Sequence, residues 1–288
     1  MNDGDAPRMK VLLVYAHPEP GSLNGALRDA AVSALRAAGH EVRVSDLYAM
    51  GWKAVADGAD FPARPAGERL FYADASRRAF AGGAQAPDVA AEQEKLLWCD
   101  TLLVQFPLWW FSMPAILKGW VDRVFAYGLA YGVGPHGGKR WGDRYGEGKL
   151  SGRRAMLIVT AGGREPHYGP RGVNGPIDDL LFPIHHGILF YPGMAVLPPF
   201  VVYQADRLAE RDFPPLRAAL EARLAALATT APIPYRTQNG GDYDDQQVLA
   251  AEHAPGARGF AIHLAPEPPA PPRRPWPPGP PGAARPDP

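Results

Sequence analysis

The sequence predicts an α/β fold, an open doubly wound parallel sheet of five strands with helices on both faces and a C-terminal extension. Two observations predict it. Strand-like and helix-like segments alternate five times along the chain. The strand-like segments are short, nearly continuous apolar runs, which is typical of parallel strands buried on both faces. With 288 residues, 46% of them apolar, the chain is long enough to form a large core.

The first β-α-β unit follows this pattern closely. Residues 10–16 (KVLLVYA) are a continuous apolar run and predict the first strand. Residues 24–39 place alanine and leucine on one helical face, with Asn24 as the predicted N-cap and Gly39 at the C-terminal end. Residues 41–48 predict a second strand, so the two strands would be parallel and joined by a right-handed crossover.

The later elements repeat the alternation after an irregular stretch. Residues 46–86 lack a strong period, and we expect them to form a wall or lid rather than core. Apolar runs predict three further strands, at residues 101–106, 154–160 and 191–197. Helical periodicity predicts four further helices, at residues 87–100, 115–125, 177–189 and 205–228. Asp88 is the predicted cap of the first of these four helices.

Composition divides the chain into four segments. Residues 1–8 are expected to be a flexible N-terminal extension and residues 9–231 the main domain. Residues 232–264 are expected to be an extension packed on the domain or on a neighbouring chain. Residues 265–288 hold more than a third of the 33 prolines. They have too few apolar side chains to offset the entropy cost of ordering, so this composition predicts a disordered tail.

Charge and cysteine content exclude several classes of protein. The 30 Lys+Arg residues balance 30 Asp+Glu residues, so no net charge attracts the chain to nucleic acid or to an anionic membrane. No apolar run is long enough to span a bilayer, and Val11–Ala16 is too short for a signal peptide. Cys99, the single cysteine, cannot form an intrachain disulfide. We therefore expect a soluble cytoplasmic protein without membrane insertion or nucleic-acid binding.

Ligands of open α/β sheets bind beyond the carboxyl ends of the strands, where three predicted loops meet. The loops are residues 17–24, 106–113 and 160–175. The first loop lacks the GxGxxG fingerprint of a dinucleotide-binding domain. It offers instead a helix N-terminus, which suits phosphate oxygens, preceded by His17, Ser22 and Asn24. Because serine and asparagine are also common structural caps, this signal is weak by itself.

The other two loops indicate a planar ligand. Between Pro107 and Pro114, the second loop carries aromatic side chains that are usual in a core but that could stack on a ring here, namely Trp109, Trp110 and Phe111. The third loop contains Gly162-Gly163, which permits close approach of a ligand to the backbone, followed by His167 and Tyr168. A flat cofactor that bears phosphate, such as a flavin, fits the three loops best.

A set of segments along the chain has a recognisable family pattern. The most specific block is QFPLWWFSMPAILKGWVDRVF, residues 105–125, and the other segments are LLVYAHPEPGSLNGAL, SDLYAM, PDVAAEQEKL, TAGG…HYG…GVNG and FPIHHGIL. From about residue 9 to residue 264, these segments resemble the NAD(P)H:quinone oxidoreductases, the DT-diaphorase family of flavodoxin-like flavoproteins. The resemblance implies a flavodoxin-like catalytic domain and a homodimer with FAD, rather than FMN, at two interface sites. It also implies ping-pong hydride transfer from NAD(P)H to FAD and then to a quinone in one shared pocket.

The resemblance further implies roles for individual residues. Tyr168 matches the catalytic tyrosine of the family, and the substrate-pocket positions are Trp110, Phe111, Tyr131 and Tyr191. The residues implied to bind the cofactor are His17, Ser22, Leu23, Asn24, Pro107, Leu108, Trp110, Phe111, Thr160, Gly162 and Gly163. The aromatic loop adds Trp109 to this set because of its place at a strand end.

Some positions depart from the family pattern. Asn174 stands where the better-known branch has a proton-relaying histidine, and because asparagine cannot change charge we expect an incomplete relay, with His167 partly supplying the proton. A second branch has asparagine there and prefers non-phosphorylated dihydronicotinamides, so the hydride donor stays open. That branch also binds a metal at the position of His186, but the second ligand position is Phe190 here, so we expect no metal. Val133 replaces a second pocket tyrosine.

Three alternatives stay open beside an NAD(P)H dehydrogenase that reduces quinones. A quinone-reducing ancillary subunit of a potassium-efflux system would be shorter and carry FMN. A flavodoxin-type one-electron carrier needs no nicotinamide site, and Tyr131, Tyr168 and the double tryptophan favour an enzyme over it. A redox-sensing binding protein would use the PxxP spacing of the tail to recruit a partner. The adjacent His185 and His186 are expected to pack in the fold or at an interface.

Overall fold

A computed structural model describes residues 8–137 and 140–266 of the chain. Its strands are β1 (Lys10–Tyr15), β2 (Glu41–Asp46), β3 (Thr101–Pro107), β4 (His136–Gly137), β5 (Arg140–Trp141), β6 (Arg154–Thr160), β7 (Ala195–Val196) and β8 (Phe200–Val202). The main sheet has the order β2-β1-β3-β6-β7, with β8 also paired to β6, and its pairings are parallel. The predicted doubly wound parallel sheet is therefore confirmed. Strands β4 and β5 form a small antiparallel hairpin.

Helices cover both faces of this sheet. They are α1 (Leu23–Ala37), α2 (Tyr72–Gly82), α3 (Pro87–Trp98), α4 (Ala115–Val124), α5 (Ile177–Ile184) and α6 (Phe213–Ala225), with a π-helical turn at His185–Phe190. Short 3₁₀ turns lie at Gly58–Asp60, Glu165–Tyr168, Ala205–Arg207, Glu210–Asp212 and Phe260–His263. Within the described ranges, none of these helices has both the length and the apolarity that a membrane crossing requires.

The side chains of each central strand alternate between two cores. In β1, Val11 and Leu13 pack with residues of α1 and α6, whereas Leu12 and Val14 pack with residues of α3 and α4. Every residue of β3 is buried, as expected for a strand between two helical layers. The continuous apolar runs in the sequence are therefore explained by burial on both faces.

The caps of two helices differ from the prediction. Ser22, and not Asn24, is the N-cap of α1, because the Ser22 Oγ accepts a hydrogen bond from the Gly25 N–H at 3.2 Å. Asn24 lies inside the first turn and its side chain is free to bond elsewhere. Helix α3 starts at Pro87, so Asp88 is a first-turn residue and not the cap.

Prolines explain why the fifth strand and the last helix differ from the prediction. The strand predicted at residues 191–197 is instead two short pieces, β7 and β8, separated by Leu197-Pro198-Pro199. Proline has no N–H to donate to the ladder, so the pairing is interrupted there. The helix predicted from residue 205 begins only at Phe213, because Pro214 and Pro215 fit the first turn of a helix but not its interior.

The segment of residues 46–86 contributes to the core, contrary to the prediction of a wall or lid alone. Leu47 and Trp52 are buried in the core that packs under α3 and α4. The Arg123 side chain of α4, 1% exposed, donates to Asp60 Oδ1 at 2.9 Å and to the Lys53 carbonyl at 3.0 Å. Its guanidinium also lies 4.5 Å from the Trp52 ring centroid. A buried ion pair thus ties the segment to the domain.

Residues 232–264 pack on their own chain. The Ile233 N–H donates to the Val196 carbonyl at 2.7 Å, and the Ala265 N–H donates to the Pro234 carbonyl at 2.7 Å. Tyr235 is buried against the main core. The predicted N-terminal extension, apart from Arg8, and the proline-rich tail from residue 267 onward lie outside the described residues.

Candidate active site

A cavity of about 490 Å³ lies at the carboxyl ends of β1, β3 and β6. The parallel register aligns these ends, since Tyr15 pairs with Gln105 and Pro107 pairs with Thr160. The cavity brings together the three loops that the sequence singled out. Its lining residues are His17, Ser22, Leu23, Asn24, Pro107, Leu108, Trp109, Trp110, Thr160, Gly162, Gly163, Tyr168, Ala205 and Asp206.

The first loop is held in place by hydrogen bonds of its own. The Ser22 hydroxyl donates to the Glu19 carbonyl at 2.7 Å, and the Glu19 N–H donates to His17 Nδ1 at 3.1 Å. His17 Nδ1 also lies 3.0 Å from Ser22 Oγ. The first turn of α1 contains no acidic residue, so the positive end of the helix dipole is available to an anion. This side of the cavity therefore suits phosphate.

Polar atoms without partners lie beneath the cavity. The Asn24 Nδ2 donates to Thr160 Oγ1 at 2.9 Å, and the Gln105 Nε2 donates to the Asn24 carbonyl at 2.6 Å. Within the described residues, Asn24 Oδ1 and Gln105 Oε1 are buried acceptors without a hydrogen-bond donor. Since an unpaired buried acceptor is costly, this site fits a ligand that brings hydroxyl or N–H donors. Gln105 was not predicted as a site residue.

The aromatic loop forms a tight turn. The Ser112 N–H donates to the Trp109 carbonyl at 3.0 Å. The two central residues, Trp110 and Phe111, have φ angles of 49° and 61°, in the left-handed region that bulky residues rarely adopt. The Trp110 side chain is 95% exposed, and Phe111 is also exposed and lies outside the cavity lining. Strained backbone of this kind is concentrated at functional sites.

The glycine pair makes room for two side chains of the cavity wall. A Cβ on Gly163 would lie 2.8 Å from Tyr168 Cε2, and a Cβ on Gly162 would lie 2.6 Å from Asp206 Oδ2. Tyr168 is 8% exposed, and its ring centroid is 5.5 Å from that of Tyr203. Sequence reasoning missed Ala205 and Asp206, although they follow β8 at the same edge of the sheet. Because the sequence placed the last strand at residues 191–197, the strand-end rule would have found them only if β8 had been recognised.

Some predicted site residues lie elsewhere in the single chain. The His167 side chain is exposed and Asn174 is half-buried, and neither belongs to the cavity lining. The Asn174 N–H donates to the His167 carbonyl at 3.0 Å, so both belong to one closed loop. Tyr131 and Tyr191 line a second concavity, of about 390 Å³, together with Phe125.

Burial shifts the pKa values of titratable groups outside the cavity. Burial raises the pKa of the Cys99 thiol to about 12, so it stays protonated and is a poor nucleophile. Burial and, to a smaller extent, a coulombic interaction with His263 lower the pKa of His186 to about 4. The His186 ring lies 4.6 Å from the Tyr145 ring centroid and 4.6 Å from that of Phe182. Over residues 8–137 and 140–266, no group of three His, Cys, Asp or Glu residues is arranged to hold a metal ion.

Comparison with known proteins gives consistent similarities. Residues 9–227 match the model of a family described as having a flavodoxin-like fold. The ribosyldihydronicotinamide dehydrogenase-like protein traD of Penicillium crustosum is 53% identical over 261 residues, which are 90% of this chain and 97% of that protein. Human ribosyldihydronicotinamide dehydrogenase [quinone] is 38% identical over 226 residues, 78% of this chain and 94% of that protein.

A solved structure from Klebsiella pneumoniae, assigned as a quinone reductase, resembles the whole described fold. It is 61% identical, with a TM-score of 0.87, and the match covers 89% of this chain and 100% of that chain. The similarity therefore reaches beyond residue 227, where the family model ends.

Proposed function

This chain belongs to the family with the flavodoxin-like fold and is an oxidoreductase, and from that premise we propose that it is an NAD(P)H dehydrogenase that reduces quinones. The observation that carries the proposal is the convergence of three strand-end loops on one cavity with a buried tyrosine in its wall. A phosphate-binding helix end and exposed aromatic rings lie at the same cavity. This combination suits a flat cofactor better than it suits a small polar substrate.

The residues of the cavity fit a flavin, and we propose FAD. The α1 N-terminus with Ser22 would hold the diphosphate, and the unpaired acceptor of Asn24 in the cavity wall would receive a hydroxyl donor of the ribityl chain. Trp109 and Trp110 would cover the ring, with Gly162 and Gly163 at its polar edge. When bound, the flavin supplies two-electron chemistry, taking a hydride from the nicotinamide and passing it to the quinone.

Tyr168 is the proposed catalytic residue. Its buried hydroxyl can donate a hydrogen bond to a ligand oxygen on which negative charge develops, and a fixed donor stabilises such charge without reorganisation. Asn174 and His167 are proposed to serve proton movement beside it. His167 faces solvent and can exchange protons with water, whereas Asn174 can only hold a proton donor in place by hydrogen bonding.

We further propose that the active form is a homodimer. Tyr131 and Tyr191 are proposed to contact the substrates, yet they line a concavity separate from the cavity of Tyr168 in the same chain. A two-fold dimer that places the second concavity of one protomer over the first cavity of its partner would join them. The exposed Trp110 and Phe111 support this arrangement, since neighbouring exposed aromatic side chains are usually covered.

The identity of the flavin and of the hydride donor tests the proposal directly. The purified protein is expected to be yellow, to release FAD on denaturation, and to oxidise a dihydronicotinamide only when a quinone is present. Steady-state rates with NADH, NADPH and dihydronicotinamide riboside against one naphthoquinone would identify the donor, because two similar proteins are named for the riboside. A colourless protein that neither FAD nor FMN reconstitutes would contradict the proposal. A one-electron carrier would leave all three donors unoxidised.

A further inference from the structure

A third cavity, of about 360 Å³, lies between the loop before β6, the α5 helix with its π-helical turn, and the C-terminal extension. We call it the C-terminal pocket. Among the described residues, it shares no lining residue with the candidate active site or with the concavity of Tyr131 and Tyr191. Its volume is at the lower end of the range of ligand sites, roughly 300–1,000 Å³. It therefore has room for a molecule of one or two rings but not for a dinucleotide.

The walls of the C-terminal pocket are flat aromatic rings. Tyr145 stacks on His186 with an angle of 25° between the ring planes. His186 stacks on Phe182 at 16°, and Phe182 stacks on Phe260 at 9° with centroids 4.3 Å apart. Because His186 and Phe182 each have a stacked neighbour on both faces, a ligand can meet only the ring edges of this column and the outer faces of its end rings, Tyr145 and Phe260. Aromatic ligands favour such edge-to-face contacts.

The pocket also carries one positive charge without a carboxylate partner. Arg236 forms an ion pair with Asp242, with 2.5 Å between Nη1 and Oδ2. Arg144 has no such partner among the described residues, and its Nε donates to the neutral Gln238 Oε1 at 2.5 Å. Within the described ranges its two terminal nitrogens have no hydrogen-bond partner and can receive an anion, and a guanidinium binds a carboxylate through two parallel hydrogen bonds.

The histidines of the pocket add polarity but no charge near neutral pH. Burial lowers the pKa of His186 to about 4, and burial together with Arg236 lowers the pKa of His263. His263 Nδ1 lies 2.8 Å from the Tyr243 hydroxyl. His186 Nε2 is a buried nitrogen without a hydrogen-bond partner in the described part of the chain. A ligand could therefore form one neutral hydrogen bond with His186 and one charged contact with Arg144.

We propose that the C-terminal pocket binds a planar aromatic carboxylate of one or two rings. The carboxylate pairs with Arg144, and the ring packs against the edges of the Tyr145 and His186 rings and against Phe260. This site is separate from the proposed redox chemistry and requires no redox step. Two parts of the chain build it together with α5, namely Arg144 and Tyr145 of the loop before β6 and the extension of residues 232–264.

The proposal is tested by calorimetric titration of the purified holoprotein with 2-naphthoate and with its neutral analogue 2-naphthylmethanol. We expect one 2-naphthoate site per chain and at least about tenfold weaker binding of the neutral analogue. Arg144→Gln should weaken 2-naphthoate binding by about the same factor. Arg140→Gln is the matched control, since Arg140 lies in the same loop but is ion-paired to Asp143 and Glu147 and does not line the pocket. The affinity of the Arg140→Gln variant for 2-naphthoate should equal that of the unaltered protein.

Three results would overturn the proposal. The first is the absence of 2-naphthoate binding to the unaltered protein at millimolar concentration. The second is equal affinity in Arg144→Gln and Arg140→Gln. The third is displacement of 2-naphthoate by a naphthoquinone substrate, because the probe would then occupy the active-site cavity. Flavin content measured in the same samples reports whether each variant is folded, and Arg144→Lys, which keeps the charge but loses the planar fork, should bind with intermediate affinity.

Discussion

Trp110 and Phe111 occupy backbone conformations that cost free energy. A left-handed φ in a residue other than glycine costs roughly 1–2 kcal/mol, and these two residues adopt it in succession. The turn presents the Trp110 ring almost entirely to solvent. Neither burial nor backbone preference explains this arrangement, so we infer that the exposed rings serve ligand binding and protomer contact.

Trp110→Gly should separate stability from function. Glycine relieves the strain, so we expect the free energy of unfolding of the flavin-free single chain to rise by about 1 kcal/mol while turnover of the flavin-loaded protein falls at least about tenfold. Trp110→Ala removes the same ring but keeps the Cβ, so its activity should match that of the glycine variant without the gain in stability. Urea denaturation and steady-state kinetics measure the two effects. A glycine variant with normal turnover would show that the ring has no role in function.

Tyr168→Phe tests the proposed catalytic hydroxyl. The ring fills the same space beside Gly163, so flavin binding should be retained, while loss of the hydrogen-bond donor should slow reduction of the flavin by about 10²–10³-fold. Tyr203→Phe is the control, because Tyr203 contacts the Tyr168 ring but does not line the cavity. Stopped-flow absorbance follows reduction, and fluorescence of released flavin follows binding. Equal loss of binding and of rate in the Tyr168 variant would assign the tyrosine to packing.

At the scale of the element, the helix at residues 177–190 shows how a proline changes the hydrogen-bond pattern of an α-helix. Pro183 lies inside α5 and lacks an N–H, and the helix continues as a π-helical turn from His185. His185 is 1% exposed, and its Nε2 has no partner among the described residues. The predicted packing of His185 within the fold agrees with this burial. Because a buried imidazole is neutral in the folded state, acid favours the unfolded chain, in which the imidazole can bind a proton.

His185→Phe should make stability less dependent on pH. Burial lowers the pKa of His185 from 6.5 to about 4, so between these pH values the unfolded chain binds a proton that the folded chain does not. Stability is therefore full above about pH 6.5 and falls as the pH falls toward 4, and His185 alone should cost about 2 kcal/mol between pH 7 and pH 5. Urea denaturation at both pH values measures the loss in the unaltered and substituted proteins. Equal losses in the two proteins would contradict the assignment.

At the scale of the whole molecule, the C-terminal extension completes the fold of its own chain. Tyr235 is buried in the main core, and Phe260 stacks on Phe182 of α5. Ala265 provides a backbone hydrogen bond near the end of the described residues. We therefore expect removal of the extension, but not of the tail, to lower the stability of the protein.

Two truncations test this boundary. A chain that ends after Pro266 lacks the proline-rich tail, and we expect its melting temperature and flavin content to match those of the full chain. A chain that ends after Ala231 also loses Tyr235 and Phe260, which exposes apolar surface of α5, so its melting temperature should fall by about 5 °C or more. Differential scanning fluorimetry and flavin absorbance compare the three proteins. A shorter chain with unchanged melting would show that the extension is not part of the folded domain.

The positions of the central strands could be read from the sequence because their cause is local. A strand between two helical layers must be apolar at consecutive positions, and the runs in β1, β3 and β6 satisfy this requirement. The place of the candidate active site was predicted from the same pattern, since parallel strands end at one edge. All the predicted cofactor residues except Phe111 line the cavity at that edge.

Tertiary structure decided what depends on contacts between distant parts of the chain. The role of Asn24 is one example, because its side chain is not a helix cap but donates to Thr160, which lies 136 residues away in the sequence. The packing of the loops likewise places Asp206 in the wall of the active-site cavity and places Tyr131 in a different concavity from Tyr168. Local periodicity records which side of an element is buried, but not which distant residue covers it. The sequence thus determined the sheet and the edge at which the candidate site lies, and packing decided which side chains meet there.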